Sequence, residues 1–192
     1  MLISEVFSEY FCYLTLDPNT ASPNLHLSED NRKAAYLEEK RVYPEHPERF
    51  TDVPQVLCRE PLTGRRYWEA EWSGETDISV TYKGIQRKGK DEESVSGFNT
   101  NSWCLICFED RLDFWHNHLP INKGPPPESR KRVGVYVDTS AGSMSFYSIS
   151  DSHVFTHIHT FHSTFTEPLY ACFGFLVHPY CSTLSLCQAK NP

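Results

Sequence analysis

The pair Cys104-x-x-Cys107, with His116 and His118 downstream, is the first place to look for chemistry, because thiolates and imidazoles are the ligands of tetrahedral zinc. The spacing does not serve that purpose. In a strand, a separation of three sends the two thiols to opposite faces, and a His-x-His interval does not match the second ligand pair of a finger. Both cysteines therefore read as core residues. His153, His157, His159 and His162 form the densest histidine group, and on a regular strand His157 and His159 would share a face as ligands must. Only Asp151 and Glu167 lie near them in sequence, so the group reads as a solvated strand and loop with pH sensitivity near neutrality. No metal and no cofactor are expected.

Nucleophilic catalysis needs a positioned serine or cysteine, and the chain has no Gly-x-Ser-x-Gly elbow. Carboxylate pairs suited in type to acid/base work occur at Glu69 and Glu71 and at Asp110 and Asp113, but the first pair falls on the polar face of a strand and solvation accounts for it. The chain does not read as an enzyme. Two basic clusters stand out, Lys83, Arg87, Lys88 and Lys90, and Arg130-Lys131-Arg132. The first runs into Asp91-Glu92-Glu93, which cancels much of its field within a Debye length of about 8 Å. With a net charge of −7 there is no global field to gather polyphosphates, so nucleic acid is not an expected partner; a phosphorylated or acidic peptide contact is compatible.

The elements that would position such residues are strands. The 192 residues are 39% hydrophobic and 14% aromatic, enough for one globular domain with a composition suited to pleated, half-buried surfaces. Apolar runs of strand length recur between turn signals: Tyr67 to Trp72, Ile78 to Tyr82, Trp103 to Phe108, Val133 to Val137, Met144 to Ile149, Leu169 to Phe175 and Thr183 to Cys187. Lys123-Gly124-Pro125-Pro126-Pro127 is a loop, since consecutive prolines cannot donate to a ladder. The clearest unit is a hairpin, Arg132 to Val137, then Asp138 to Gly142, then Ser143 to Ile149. In Tyr67 to Trp72, alternation sends Trp68, Ala70 and Trp72 to a dry face and Glu69 and Glu71 to a wet one. Ser4 to Phe11 predicts a short helix capped by Ser4 with Phe7, Tyr10 and Phe11 on one side, and propensity alone makes Ser28 to Lys40 a second helix.

No apolar run approaches the roughly 20 residues that span a bilayer. Met1 to Leu16 contains Glu5 and Glu9 and lacks the charged start and apolar centre of a secretory signal. Seven cysteines, an odd number, in a chain without an Asn-x-Ser/Thr sequon suit a reducing compartment and free, mostly buried thiols. A soluble, cytoplasmic chain that is monomeric in isolation is the expectation.

Taken in order, Leu14-Thr15-Leu16-Asp17-Pro18-Asn19-Thr20-Ala21, Leu27 to Arg32, Pro47-Glu48-Arg49-Phe50, Tyr67-Trp68-Glu69-Ala70-Glu71, Ser102-Trp103-Cys104-Leu105, Arg132 to Phe146 and Pro168-Leu169-Tyr170 resemble a PRY-SPRY (B30.2) domain over roughly residues 10 to 188. The resemblance implies an all-β fold, a bent two-layer antiparallel β-sandwich of concanavalin-like jelly-roll type with a short N-terminal helix. A leader would occupy 1–9, the PRY segment about 10–62, the SPRY part about 63–188 and a tail 189–192. It also makes Ser28 to Lys40 strand and turn rather than helix. Asp77 to Ile85 and Trp115-His116-Asn117 are similar to versions in fish tripartite-motif proteins, NACHT-type receptors and venom cytolysins. No RING series, heptad coiled coil or Walker motif is present, so ligase or nucleotidase activity does not carry over. The family's role implies a module that binds a protein or peptide through loops at one end of the sandwich, as the recognition part of an innate-immune or ubiquitin-pathway protein or, alternatively, of a pore-forming cytolysin. Carried residue by residue, its groove falls on Asp77, Trp103, Leu105 and Phe173, with Phe114 and Trp115 as further candidates. Asp77 would accept hydrogen bonds or meet a basic group, and Trp103 and Phe173 would be apolar anchors. The same residues read alternatively as a turn cap (Asp77) and as core (Trp103, Phe173).

Overall fold

Alternation with a period of two builds most of this molecule, a computed structural model that describes residues 2–127, 131–176 and 179–188. In β4 (Arg65–Ser73), Trp68, Ala70 and Trp72 are 1%, 0% and 7% exposed and face the interior, as the sequence predicts. β9 (Arg132–Asp138) and β10 (Ser143–Ile149) form the expected hairpin, with Val133, Val135, Val137, Met144 and Phe146 inside. Together with β1 (Leu25–Ser28), β2 (Lys33–Tyr36), β11 (Phe155–His162) and β13 (Thr183–Leu186) they make a seven-stranded sheet of order β1-β2-β13-β4-β9-β10-β11. The second sheet has six strands in the order β3-β12-β5-β6-β7-β8. These are β3 (Gln55–Leu57), β5 (Thr76–Tyr82), β6 (Ser102–Cys107), β7 (Leu112–His116), β8 (Leu119–Lys123) and β12 (Leu169–Gly174). All strand pairings are antiparallel, and one apolar cluster between the layers draws on both sheets.

Residues 28–40, helical by propensity alone, are the end of β1, a tight turn and β2; Ala34 is buried against the core, and pairing with β13 outweighs a small helical preference. The turn takes Glu29, Asp30 and Asn31 through positive φ. The expected N-terminal helix is present as α1 (Ile3–Tyr10), but Ser4 is not its cap. Leu2 holds that position, and its backbone N–H donates to the Glu5 carboxylate at 3.1 Å.

α1 lies on the outer face of the seven-stranded sheet because Phe7 stacks on Tyr67 with ring centroids 4.2 Å apart. Tyr67 in turn donates its hydroxyl to Glu69 at 2.7 Å, and Arg132 donates to both Glu69 (2.7 Å) and Glu71 (3.2 Å). The face expected to be wet is thus only partly so: the Glu69 side chain is 12% exposed, roofed by an ion pair and an aromatic stack. Gly134 makes room for this arrangement, since a Cβ there would overlap the Tyr67 hydroxyl and come within 2.8 Å of its ring carbons. Gly134→Ala is expected to destabilise the fold by about 1–3 kcal/mol through this overlap. Chemical denaturation of the purified variant checks it.

The second basic cluster is neutralised in the same region, Lys131 by Glu109 (2.5 Å) and Arg132 by the two glutamates; Arg130, like Met1 and residues 189–192, lies outside the described residues. Cys104 and Cys107 do point to opposite faces. Cys107 enters the interior cluster, while Cys104 faces out and is covered by Gly97, whose Cβ position lies 2.7 Å from its own. No cysteine among the described residues is in a disulfide, four of the seven are buried, and burial pushes the thiols of Cys58, Cys104 and Cys107 well above their ordinary range. The histidine expectation needs correction. A bulge in β11 pairs His159 with inward Phe146 and His157 with outward Tyr147, so the two rings leave on opposite faces. No group of three metal-ligating side chains occurs among the described residues.

Candidate partner-binding site

The outer face of the six-stranded sheet is mostly roofed by the chain's own loop. Residues 92–101 cross it, with Gln55 donating to the Ser94 carbonyl (2.8 Å) and accepting from the Ser96 N–H (2.9 Å). Phe98 stacks on Trp115 with ring centroids 5.2 Å apart. At one end of the sheet a row of paired residues runs across the strands: Gly174 of β12, Asp77 of β5, Ile106 of β6, Asp113 of β7 and Lys123 of β8. All share the outward face, because each is the registered neighbour of the next.

Asp77 is 2% exposed and accepts one backbone hydrogen bond, from Leu176 at 3.2 Å. Burial pushes its carboxyl up to about 7, against the opposing pull of that N–H; the negative charge of Glu75 adds to the rise. Gly174 opposite it has no side chain, and a Cβ there would sit 3.0 Å from the Asp77 Oδ2 atom. Asp113 holds Arg111 through one oxygen (3.2 Å), while its Oδ1 is buried without a hydrogen-bond partner among the described residues. Glu75 Oε2, in the adjoining turn, is buried and unpartnered in the same way. Two orphaned carboxylate oxygens at one strand end are unusual for a folded interior and suit a surface that receives donors from outside.

The rim is made by the β6–β7 turn. Phe108 continues the outward alternation of Ile106 and is half-buried, with the Arg111 guanidinium 3.7 Å from its ring centroid. The Glu109 N–H donates to Glu75 at 3.3 Å, which ties this turn to the β4–β5 turn.

Of the residues expected from the sequence, Asp77 belongs to this row, inside a strand rather than as a turn cap. Trp103, Leu105, Phe114 and Phe173 are corrections. They are 2%, 0%, 0% and 0% exposed and point into the sandwich, Trp103 against His116, Tyr82 and Phe165, Phe173 against Trp68, and Phe114 against Phe146. Alternation explains the error: each is one residue away in register from an outward neighbour, so Ile106 and not Leu105 reaches the row. Trp115 does face outward but lies under Phe98. Ile106, Phe108 and Arg111, which the row and its rim bring beside Asp77, were not singled out in the sequence, and Asp113 was weighed there only as a carboxylate paired with Asp110; Arg111 stands in the turn after an apolar strand and Asp113 just inside β7.

The fold that carries this row and rim is a two-layer antiparallel sandwich. The match to known sequences agrees. The family model described as SPRY-associated domain (PRY) matches residues 14–62, and that of the SPRY domain matches residues 65–189, so the chain belongs to the PRY-SPRY family, whose members are generally non-catalytic modules that bind protein partners. It is 42% identical over 168 residues to stonustoxin subunit alpha of Synanceia horrida, covering 86% of this chain and 24% of that one. To tripartite motif-containing protein 16 of Mus musculus it is 37% identical over 172 residues, covering 87% of this chain and 30% of that one. Among solved structures, the TRIM65 PSpry domain superposes with a TM-score of 0.85 at 28% identity, covering 98% of this chain and 97% of that one. The chain spans about a quarter of the length of the curated toxin relatives it matches.

Proposed function

We propose that this chain recognises a protein segment at the Asp77–Ile106–Asp113 end of the six-stranded sheet, and that it is monomeric and cytoplasmic when it does so. The observation that supports the reading is the closeness of two buried carboxylate oxygens lacking donors among the described residues, Asp113 Oδ1 on the row and Glu75 Oε2 in the turn beside it, to the half-buried Phe108 and exposed Arg111 of the rim. A partner that inserts an N–H-rich or cationic group toward Asp77 and Asp113, and lays apolar surface on Ile106 and Phe108, satisfies both features. The recognition part of an innate-immune or ubiquitin-pathway protein is the leading context, supported by the tripartite-motif relative. The toxin relatives favour a second context, the recognition part of a cytolysin. No helix among the described residues is long and apolar enough to cross a membrane.

Pull-down with wild type against Phe108→Ala and Arg111→Glu tests the site. Both side chains are at the surface, so folding is retained, and the specific partner is expected to bind about tenfold or more weakly to each variant. Partners that survive both changes overturn the assignment. Saturable association of the isolated chain with liposomes, retained in both variants, supports the toxin context instead.

A further inference from the structure

A cavity of about 650 Å³ opens between the loop carrying Tyr43 to Thr51 and the basic residue Lys88, and it shares no residue with the partner-binding site. Its chemistry is lopsided. Arg49, 6% exposed, donates only to carbonyls, those of Pro44 (3.0 Å), Pro18 (2.8 Å) and Ala21 (2.8 Å), and no carboxylate lies within ion-pair distance of it among the described residues. Its Nη2 has no hydrogen-bond partner among those residues. A guanidinium taken this far out of water is ordinarily matched by an acid. Lys88 is held over the cavity by weak contacts to the carbonyls of His46 (3.4 Å) and Arg49 (3.3 Å), and it too has no ion-pair partner there. Its neighbours in the basic cluster differ, since Lys83 and Arg87 both reach Glu48, at 3.5 and 3.9 Å.

His46 adds a third donor. Its Nδ1 accepts the Glu48 N–H at 3.1 Å, so the neutral ring carries its proton on Nε2. Against the Arg49 and Lys88 cations the lining holds one carboxylate, Glu45. The walls are preformed: Tyr43 is pinned by its hydroxyl to the Leu25 carbonyl (2.7 Å) with Arg49 5.0 Å from its ring centroid, and prolines at 23, 44 and 47 fix the backbone around it.

We propose that this cavity binds a phosphomonoester. A dianion matches the two unpaired cations, its oxygens can accept from Arg49, Lys88 and His46 together, and a volume well beyond that of bare phosphate leaves the Tyr43 and proline walls for the organic group that bears it. The phosphate comes either from a small molecule or from a phosphoserine in a peptide.

Backbone-amide NMR of the folded chain, titrated separately with inorganic phosphate, a phosphoserine tripeptide and the same tripeptide without phosphate, tests the proposal and separates the sources. Saturable shifts confined to residues 43–51 and 86–90 are expected with the two phosphates and not with the plain peptide. Tighter binding of the phosphopeptide than of inorganic phosphate identifies a peptide-borne group, and equal binding a small one. Lys88→Glu, at an exposed position, is expected to weaken binding about tenfold, and His46→Ala by less. Absence of saturable shifts with both phosphates, or unchanged affinity in Lys88→Glu, overturns the proposal. Phe108→Ala is expected to leave these titrations unaltered, so failure of the partner-binding reading and failure of this one are told apart.

Discussion

Phe173→Ala is expected to destabilise the fold by about 3–5 kcal/mol, a large share of the stability of a small protein, measured as a shift of the denaturant midpoint with the slope unchanged. Phe173 is 0% exposed, its ring meets Trp68 edge-on at a centroid distance of 5.5 Å, and it belongs to the interior cluster that joins the two sheets. Truncation leaves a cavity whose walls are strands registered on both sides, against β3 through Val56 and β5 through Ile78, and these cannot collapse to fill it. Phe108→Ala provides the contrast. Phe108 is half-buried at the end of β6, and its loss is expected to lower stability by well under half as much while weakening partner capture. If Phe173→Ala left stability intact and abolished only binding, the inward placement of that ring, and with it the register of β12, would be refuted.

The second large effect is electrostatic. The Asp77 carboxyl is raised to about 7, chiefly because burial penalises its charge, whereas in the unfolded chain it titrates near its ordinary 3.8. Between those values the folded protein holds a proton that the unfolded chain has released, so stability falls as pH rises from about 4 to about 7 and is level with respect to this group above that. The full penalty is on the order of 4 kcal/mol, at roughly 1.4 kcal/mol per unit. Asp77→Asn keeps the shape and an acceptor and removes the titration. It is therefore expected to be more stable than wild type at pH 8 and to lose the decline between pH 5 and 7, read by denaturation at a series of pH values. For binding the sign reverses: a cationic partner group favours the ionised carboxylate, so affinity is expected to rise as pH climbs through 7, with release of a proton, and Asp77→Asn is expected to flatten that profile. A wild-type stability curve that is flat from pH 5 to 8 would sink both expectations.

The strands that a reader of the sequence finds are those whose two faces differ. β4 shows its pattern because Trp68, Ala70 and Trp72 alternate with glutamates, and the β9–β10 hairpin shows it because small and aliphatic residues alternate around an Asp/Ser/Gly turn. β3, β7 and β8 escaped the reading of apolar runs, β3 being only 3 residues long, β7 interrupted by Asp113 and a register shift, and β8 exposed at every position; β11, read as a solvated strand and loop, is a strand broken by a bulge. The second helix suggested by Ala34, Ala35 and Leu37 never forms, since β2 gains ladder bonds on both sides.

The end proposed for binding was half legible. Asp77 is the one acid in the stretch Thr76 to Tyr82, and the structure places it in the row on which that proposal rests. Its companions could not be chosen, because Ser102–Cys107 is buried at every position.

What the sequence by itself determined was a run of short strands separated by turns, and an order of motifs whose resemblance to the PRY-SPRY family implied the two-layer antiparallel sandwich. What only the tertiary structure decided was orientation. Loop 92–101 folds back over the outer face of the six-stranded sheet, so both faces of its central strands are dry and the polar/apolar contrast that marks inside from outside disappears. A one-residue choice of face then rests on register alone, and register is set by partners far away in the chain, such as Gly174 opposite Asp77.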